Sequence, residues 1–297
     1  MKKKDIVNYL AVFLFLLPAL ALFIGILIAP IIKSAYYSLF DWNGMGEMTF
    51  LGLANYKELF TSKAIGFMKA LLNACILAAL SVFIQLPVSL GLALALGRGI
   101  KGEKPFLSIY FMPVLISTVV IGQLWLKIYN PDYGLLNSAL TKIGLENLCH
   151  IWLGDKKTAL LSVFVPTLWQ YVGYHMLLMY AGVKSVSPEL REAAMLDGAT
   201  DGQVNRYIVI PSIKQIIKVS IIFAITGSLK SYDLIKVFAK DAYNCSYKVP
   251  SLMLVRYAFN NAGGIASAIA VIMIILCFAF AITINWLFKE RDPYGKK

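Results

Sequence analysis

The sequence predicts an all-α integral membrane protein with six transmembrane helices and one polar helix-turn-helix segment on the cytoplasmic side. Three observations carry this. Of the 297 residues, 59% are hydrophobic and 15% charged, with a mean hydropathy of +0.71, far from the near-even balance of soluble domains. Apolar stretches long enough to cross a bilayer recur along the chain. Lys and Arg gather at the ends of those stretches, where anionic headgroups lie.

The stretches follow in order. Residues 9–32 come after Lys2, Lys3 and Lys4, the basic-then-apolar order of a secretion signal. The run is too long for a signal core and lacks a small-residue cleavage site, so it reads as a retained anchor. A short tail, 1–8, thus precedes one transmembrane domain, 9–297. The other expected spans are 70–96, 106–128, 159–183, 214–238 and 265–288, each near the roughly 20 apolar residues a bilayer requires. Pro18, Pro87, Pro113 and Pro166 fall inside spans, where a helix kinks and neighbours recover the freed carbonyls. Lys230, Asp233 and Lys236 make the outer half of the fifth span its most polar part.

Orientation comes from the short loops. Lys2 to Lys4, then Arg98, Lys101 and Lys104, then Lys289, Arg291, Lys296 and Lys297 lie on one side of a six-span chain, and that side is the cytoplasm. Both termini are therefore expected inside, and loops 33–69, 129–158 and 239–264 outside. The net charge of +12 is topological: no basic stripe interleaved with aromatics points to nucleic acid. Four cysteines without CxxC spacing indicate neither a zinc site nor a disulfide framework. Cys149 and Cys245 share the outer side, and their spacing leaves a bridge between them open.

The polar segment 184–213 has a complete set of local signals. Ser187 is placed to cap a helix that opens on Pro188 and Glu189, with Leu190, Ala193 and Ala194 on one face. Gly198 is placed to end it in a left-handed turn. Thr200 and Gln203 fit a capping box for a second helix, with Val204, Tyr207 and Ile208 on one face and Pro211 as the stop. Such an element either lies in a groove of another protein or packs on its own helix ends. Glu189, Glu192, Asp197 and Asp201 oppose a DNA-reading role.

Glu192-Ala193-Ala194, then Gly198, then Ile208, Ile210 and Pro211 resemble the EAA loop of membrane permease subunits of bacterial ABC importers. The likeness extends along nearly the whole chain through LFLLPALALFIGILIAPIIKSAYYSLFDW, FLGLANYKELF, YGLLNSAL and GSLKSYDLI. It points to the carbohydrate branch, to the first of two permeases in a maltose-type or glycerol-phosphate-type heterodimer. What the resemblance implies is a type I importer permease fold in a bacterial plasma membrane. It further implies a second permease, two cytoplasmic ATPase subunits seated on the EAA loop, an external binding protein, and a sugar or oligosaccharide as cargo. Glu192, Ala193, Ala194, Asp197, Gly198, Ile208 and Pro211 would form the coupling contact. One departure is AKDAYNCSYKVP, Ala239 to Pro250, where many relatives have a glycine-rich turn ending in proline.

No GxxxxGK[ST] sequence occurs, so ATP and Mg would be bound by the partner subunits, and no cofactor is expected on this chain. There is no GxSxG or HExxH motif and no cluster of His, Asp or Glu at membrane depth, which opposes an enzyme. His175 reads as a bundle-facing hydrogen-bonder. Sugar sites combine aromatic faces with a few oriented polar groups. In the family the sugar is held by spans flanking the EAA loop, where Tyr174 and Trp169 match an aromatic and a nearby tryptophan of the maltose-type site. Gln170, Thr226, Ser228, Lys230, Tyr232 and Asp233 join them by polarity. Trp169 and Tyr171 have a second reading as lipid-interface aromatics. Lys230 and Asp233, three apart, either pair on one helix face along the pathway or, where the helix ends near Ser231, lie at the outer surface. Alternatives within transport are an ABC permease for a phosphodiester or polyamine, and a secondary transporter.

Overall fold

The computed structural model describes residues 3–239 and 246–289. Lys2, Arg291, Lys296, Lys297, Cys245 and the 240–245 part of the departing segment lie outside the described residues. The chain divides into two units, Met1–Gly66 with Met253–Ile274, and Phe67–Leu252 with Ile275–Lys297.

In the first unit, α1 (Lys3–Leu22) passes through a π-helical turn, Phe23–Ile28, into α2 (Ala29–Tyr37). A two-stranded antiparallel hairpin follows, β1 (Phe40–Asp41) with β2 (Thr49–Phe50), pairing Phe40 with Phe50. Asn55 of α3 (Ala54–Thr61) then donates to Ser38 O at 2.8 Å and Phe40 O at 2.9 Å, which satisfies carbonyls left free where α2 ends. Gly264 lies so close that an added Cβ would stand 2.1 Å from Phe40 O.

The second unit holds the helices between Phe67 and Leu252 and the C-terminal part of the last one. In order they are α4 (Phe67–Leu80), a π turn Ser81–Gln85, α5 (Leu86–Leu96), α6 (Glu103–Leu115), α7 (Thr118–Ile128), α8 (Leu135–Lys142) and α9 (Ala159–Ser185). There follow α10 (Pro188–Leu196), α11 (Asp201–Val204), a π turn Asn205–Val209, α12 (Ile210–Ser212), α13 (Lys214–Leu229) and α14 (Asp233–Ala239). The chain then passes through α15 (Pro250–Phe259) and α16 (Gly263–Leu287). The 27 residues of α9 span about 40 Å at 1.5 Å per residue. Its contacts with α5 and α6 depend on glycine: a Cβ at Gly173 would fall 1.9 Å from Tyr110 O, so only a bare backbone fits there. Gln85 donates to Leu168 O at 3.0 Å and Ser89 to Val172 O at 2.9 Å, hydrogen bonds that replace water between α5 and α9. Leu77, Val163, Phe164, Leu229 and Ile235 form one buried cluster, and Leu86, Met176 and Met179 a second.

Each π turn runs into a proline, at Pro30, Pro87 and Pro211. At their ends Ala29, Leu86 and Ile210 donate to Ile24, Ser81 and Asn205, five residues back. The cause is the proline's missing N–H and the clash of its ring with the preceding turn, which make the helix slip register by one residue. Pro18 and Pro166, by contrast, lie inside continuous helices.

Among the described residues, three helices are long and apolar enough to cross a bilayer: Val12–Tyr37, Phe67–Leu96 and Gly263–Leu287, with hydropathies of 2.9, 2.1 and 3.0. Two bent pairs raise the number to five if each is one span. The expected third span, 106–128, is one of these: α6 and α7 meet at 95°. Pro113 weakens the helix there, and Ile116 turns extended at φ −80° and ψ 140°. The expected fifth span is also discontinuous, since α13 stops at Leu229 and α14 restarts at Asp233. α9 is long enough but falls short in hydropathy, because Gln170, Tyr171, Tyr174 and His175 interrupt it.

Candidate functional site

The break between α13 and α14 opens a cavity of about 370 Å³, within the usual 300–1,000 Å³ of small-molecule sites. α9 contributes Thr167, Gln170, Tyr171, Tyr174 and His175 to its wall. α13 and the break contribute Phe223, Thr226, Ser228, Lys230, Ser231 and Tyr232, and α14 opens on Asp233. Of the residues expected from sequence, Gln170, Tyr174, Thr226, Ser228, Lys230, Tyr232 and Asp233 thus converge, while Trp169 is not among the lining residues. It packs edge-on against Trp125, centroids 5.9 Å apart.

Lys230 caps the C-terminal end of α13 and Asp233 occupies the first turn of α14, so they no longer share one helix face. No ion pair joins them among the described residues. Of the two arrangements their spacing left open, the pair on one helix face is not formed, and the helix does end near Ser231. Their placement also shows why the break is tolerated: a cation sits at a helix C-terminus and an anion at an N-terminus, each stabilised by the local backbone dipole.

Sequence reasoning missed part of the wall. Ser81 and Gln85 come from the π turn, and Ser81 hydrogen-bonds Ser228 at 3.1 Å. Their signal was available, since polar side chains inside an apolar span mark function by default. Thr118 reaches the cavity only because α6 and α7 are bent, and Gln170 Nε2 donates to its hydroxyl at 3.4 Å. Gln170 Oε1 and His175 Nδ1 are buried with no hydrogen-bond partner among the described residues.

At the other end of α9 the 184–213 segment forms a helix, a turn and a helix. Gly198 takes φ +86°, a conformation disfavoured for residues with a Cβ. Thr200 and Gln203 complete a reciprocal capping box. Ser187 occupies the N-cap position, but its hydroxyl goes to the Glu189 carboxylate and makes no backbone cap. That bond holds the Glu189 carboxyl below its ordinary range. The expected face of Val204, Tyr207 and Ile208 is also altered, because the π turn rotates the chain: Val204 and Val209 are buried while Tyr207 is 68% exposed. Pro211 does not stop the helix; the turn comes at Ile213, and the next helix departs at 72°.

Val183, Val186, Val204, Val209 and Ile213 form a small core beneath the segment, with Ala194 and Ile208 packed against it. Glu192, Ala193, Asp197, Gly198 and Pro211 are exposed, as is Leu196. Arg191 donates to Val183 O and so satisfies a carbonyl at the end of α9. Two ion pairs tie the segment to the short 97–105 turn: Arg98 to Asp201 at 3.2 Å and Glu103 to Lys184 at 3.1 Å. Hydrogen bonds from Tyr180 and then Lys184 hold the Glu103 carboxyl below its ordinary 4.5.

Residues 87–291 match the family described as the binding-protein-dependent transport system inner membrane component. The chain belongs to this family of permeases. A probable ABC transporter permease protein of Bacillus subtilis, YurN, is 36% identical over 286 residues, 95% of this permease and 97% of that protein. The diacetylchitobiose uptake system permease protein NgcF of Streptomyces coelicolor is 29% identical over 275 residues, 88% and 77% of the two chains. A chain from the crystal structure of a bacterial alginate ABC transporter, in complex with an alginate pentasaccharide-bound periplasmic protein, superposes with a TM-score of 0.83. It is 23% identical and covers 99% of both chains, so the permease has that fold. Family and apolar helices together make it a multi-pass inner-membrane protein.

Proposed function

We propose that this permease is one of two membrane-spanning subunits of an ABC importer that carries a sugar or oligosaccharide into the cell. The observation that carries the reading is the cavity between α9 and α13–α14, where aromatic faces and hydroxyl and amide groups converge from the helices that precede and follow the 184–213 segment in sequence. Relatives named for diacetylchitobiose and for alginate support the cargo class. In this reading the chain crosses the membrane six times, with α6–α7 and α13–α14 as broken spans and both termini in the cytoplasm. An external binding protein delivers the sugar. Two ATPase subunits bind ATP and Mg and grip the exposed residues Glu192, Ala193, Asp197 and Gly198. Their closure moves the segment and rocks the bundle between inward-open and outward-open states, an equilibrium that ATP and loaded binding protein both bias.

Gly198→Asp or Glu192→Lys is expected to leave the subunit in the membrane while uptake falls and ATP hydrolysis persists. Normal uptake of labelled sugar in both variants overturns the coupling role. A charged solute such as a phosphodiester or polyamine is the reading favoured by Lys230 and Asp233 on the cavity wall, which make no ion pair among the described residues. Competition of each solute class against labelled sugar separates the two.

A further inference from the structure

The 97–105 turn between α5 and α6 meets the end of α9 and the 184–213 segment in three places, although the chain does not join them directly. A Cβ at Gly97 would collide with the Val183 side chain, so the turn begins against the last residues of α9. Gly99 and Gly102 take φ +77° and +90°, left-handed positions that reverse the chain within a few residues. Arg98 then pairs with Asp201 at 3.2 Å. Glu103 accepts from the Tyr180 hydroxyl and from the Lys184 ammonium, the latter at 3.1 Å. The same ammonium stands 5.5 Å from the Tyr180 ring centroid, which holds the three side chains together. These pins straddle α10, since Lys184 precedes it and Asp201 follows it. Glu103 and Asp201 open their helices and Lys184 lies in the last turn of α9, so each charge is favoured by its local backbone dipole.

The antiparallel pair α6 and α9 is therefore fixed at two levels. Deeper in the bundle the Tyr110 backbone lies against Gly173, and at the aqueous end Glu103 takes Tyr180 and Lys184. The two levels are two helical turns apart on both helices, about 10 Å. One contact lets a helix pivot; two fix its direction.

We propose that the 97–105 turn is a clip through which the 184–213 segment steers α6, with Glu103 as its positioning residue. The inference rests on the coupling role proposed above for the segment. Force on α10 reaches α9 and α13 along the chain, and the clip adds α6, which has no such connection. Because α6 bends into α7, the clip also carries Thr118 along with Gln170, whose Nε2 donates to it at 3.4 Å. That side of the cavity then moves as one piece. With the clip cut, α6 pivots on Gly173 and lags behind the segment. The two pins are unequal. Arg98 and Asp201 are 48% and 56% exposed at their side chains, so water and salt loosen them, whereas Glu103 is 20% exposed and held by two donors.

The test uses the assembled transporter with its own partner subunits in liposomes, the four cysteines of this chain replaced by serine. Nitroxide labels on cysteines introduced at the exposed positions Leu196, Lys104 and Phe278 give two distances by pulsed EPR, Leu196 to Phe278 and Lys104 to Phe278. Each is measured without nucleotide and with ATP and vanadate. In the otherwise unaltered transporter both distances are expected to shift together. Glu103→Lys is expected to abolish the Lys104 shift and keep the Leu196 shift, and Glu103→Lys combined with Lys184→Glu to bring the Lys104 shift back. Co-purification of the ATPase subunits checks assembly. Should Glu103→Lys not assemble, Glu103→Gln, which keeps an acceptor for Tyr180 and drops the charge facing Lys184, must by itself reduce the Lys104 shift. A Lys104 shift that is absent from the unaltered transporter, survives these substitutions, or disappears only together with the Leu196 shift overturns the clip. If ATP and vanadate leave the Leu196 distance unchanged in the unaltered transporter, the coupling reading itself fails and the clip falls with it.

Discussion

The 184–213 segment and the 226–239 segment are both polar interruptions in an apolar chain, yet they are built in opposite ways. The first takes its turn and cap from partners close in sequence, the Thr200–Gln203 box and the left-handed turn at Gly198, and its distant partners, Arg98 and Glu103, reach it only through ion pairs. The second is held by partners far away. Ser228 bonds Ser81, and Ser251 donates to Ser231 O. GSLKSYDLI contains no proline and its glycine lies inside α13, so its charges suggest a helix end near Ser231 without requiring the stop at Leu229. The difference teaches that a polar element facing the aqueous side specifies itself, whereas a break at membrane depth exists only if other helices satisfy it.

The largest effect that sharpens this comparison is expected at Gly173. Gly173→Val drives a side chain into the Tyr110 backbone, and should cost about 3 kcal/mol or more, read as a lowered thermal midpoint of the solubilised complex. A tolerated valine would mean that α6 and α9 do not approach as described. Next comes Thr200→Ala, which removes the hydroxyl half of the capping box but leaves the backbone N–H at 200 donating to Gln203 Oε1, and should cost about 1 kcal/mol. Its effect is expected to be confined to 184–213, seen as faster amide exchange there and unchanged exchange around the cavity. Exchange that rises equally in both regions would break the contrast between local and distant support.

Smaller effects are expected at the cytoplasmic ion pairs. Arg98 and Asp201 are 48% and 56% exposed at their side chains, so a double-mutant cycle should give about 0.2–1 kcal/mol, falling further in high salt. Glu103 adds a pH dependence. Its carboxyl titrates below the ordinary 4.5 in the folded protein. The folded state therefore binds this proton less readily than the unfolded state, and the stabilisation is present above the ordinary value. It is lost as pH falls through the lowered one. Glu103→Gln should flatten that acid limb of the thermal midpoint; an unchanged limb would show that Tyr180 and Lys184 do not hold the ionised form.

Much of the fold was legible. Hydropathy located the apolar helices, and Gly198, Thr200 and Gln203 announced their turn and cap because those signals act within a few residues. Ser187 was legible as a position but not as a bond, since Glu189 competes for its hydroxyl. Tyr207 was misplaced because a period of 3.6 does not foresee the extra residue of a π turn, although Pro211 was there to cause it. Around the cavity, Gln170 and Ser228 were found by polarity and Tyr174 by the family resemblance, while Ser81, Gln85 and Thr118 were not found, because their faces depend on the π turn and on the bend between α6 and α7.

By itself the sequence determined that the chain lives in lipid, where its apolar helices run, and that a capped bend interrupts them between α9 and α13. These follow from transfer free energy and from hydrogen bonds made within one or two turns. Only the tertiary structure decided where α13 breaks, which polar atoms share the cavity, and that Lys230 and Asp233 stand apart. In a medium without water, a helix end survives only where another segment supplies its missing partners, and that segment is chosen by packing among distant parts of the chain.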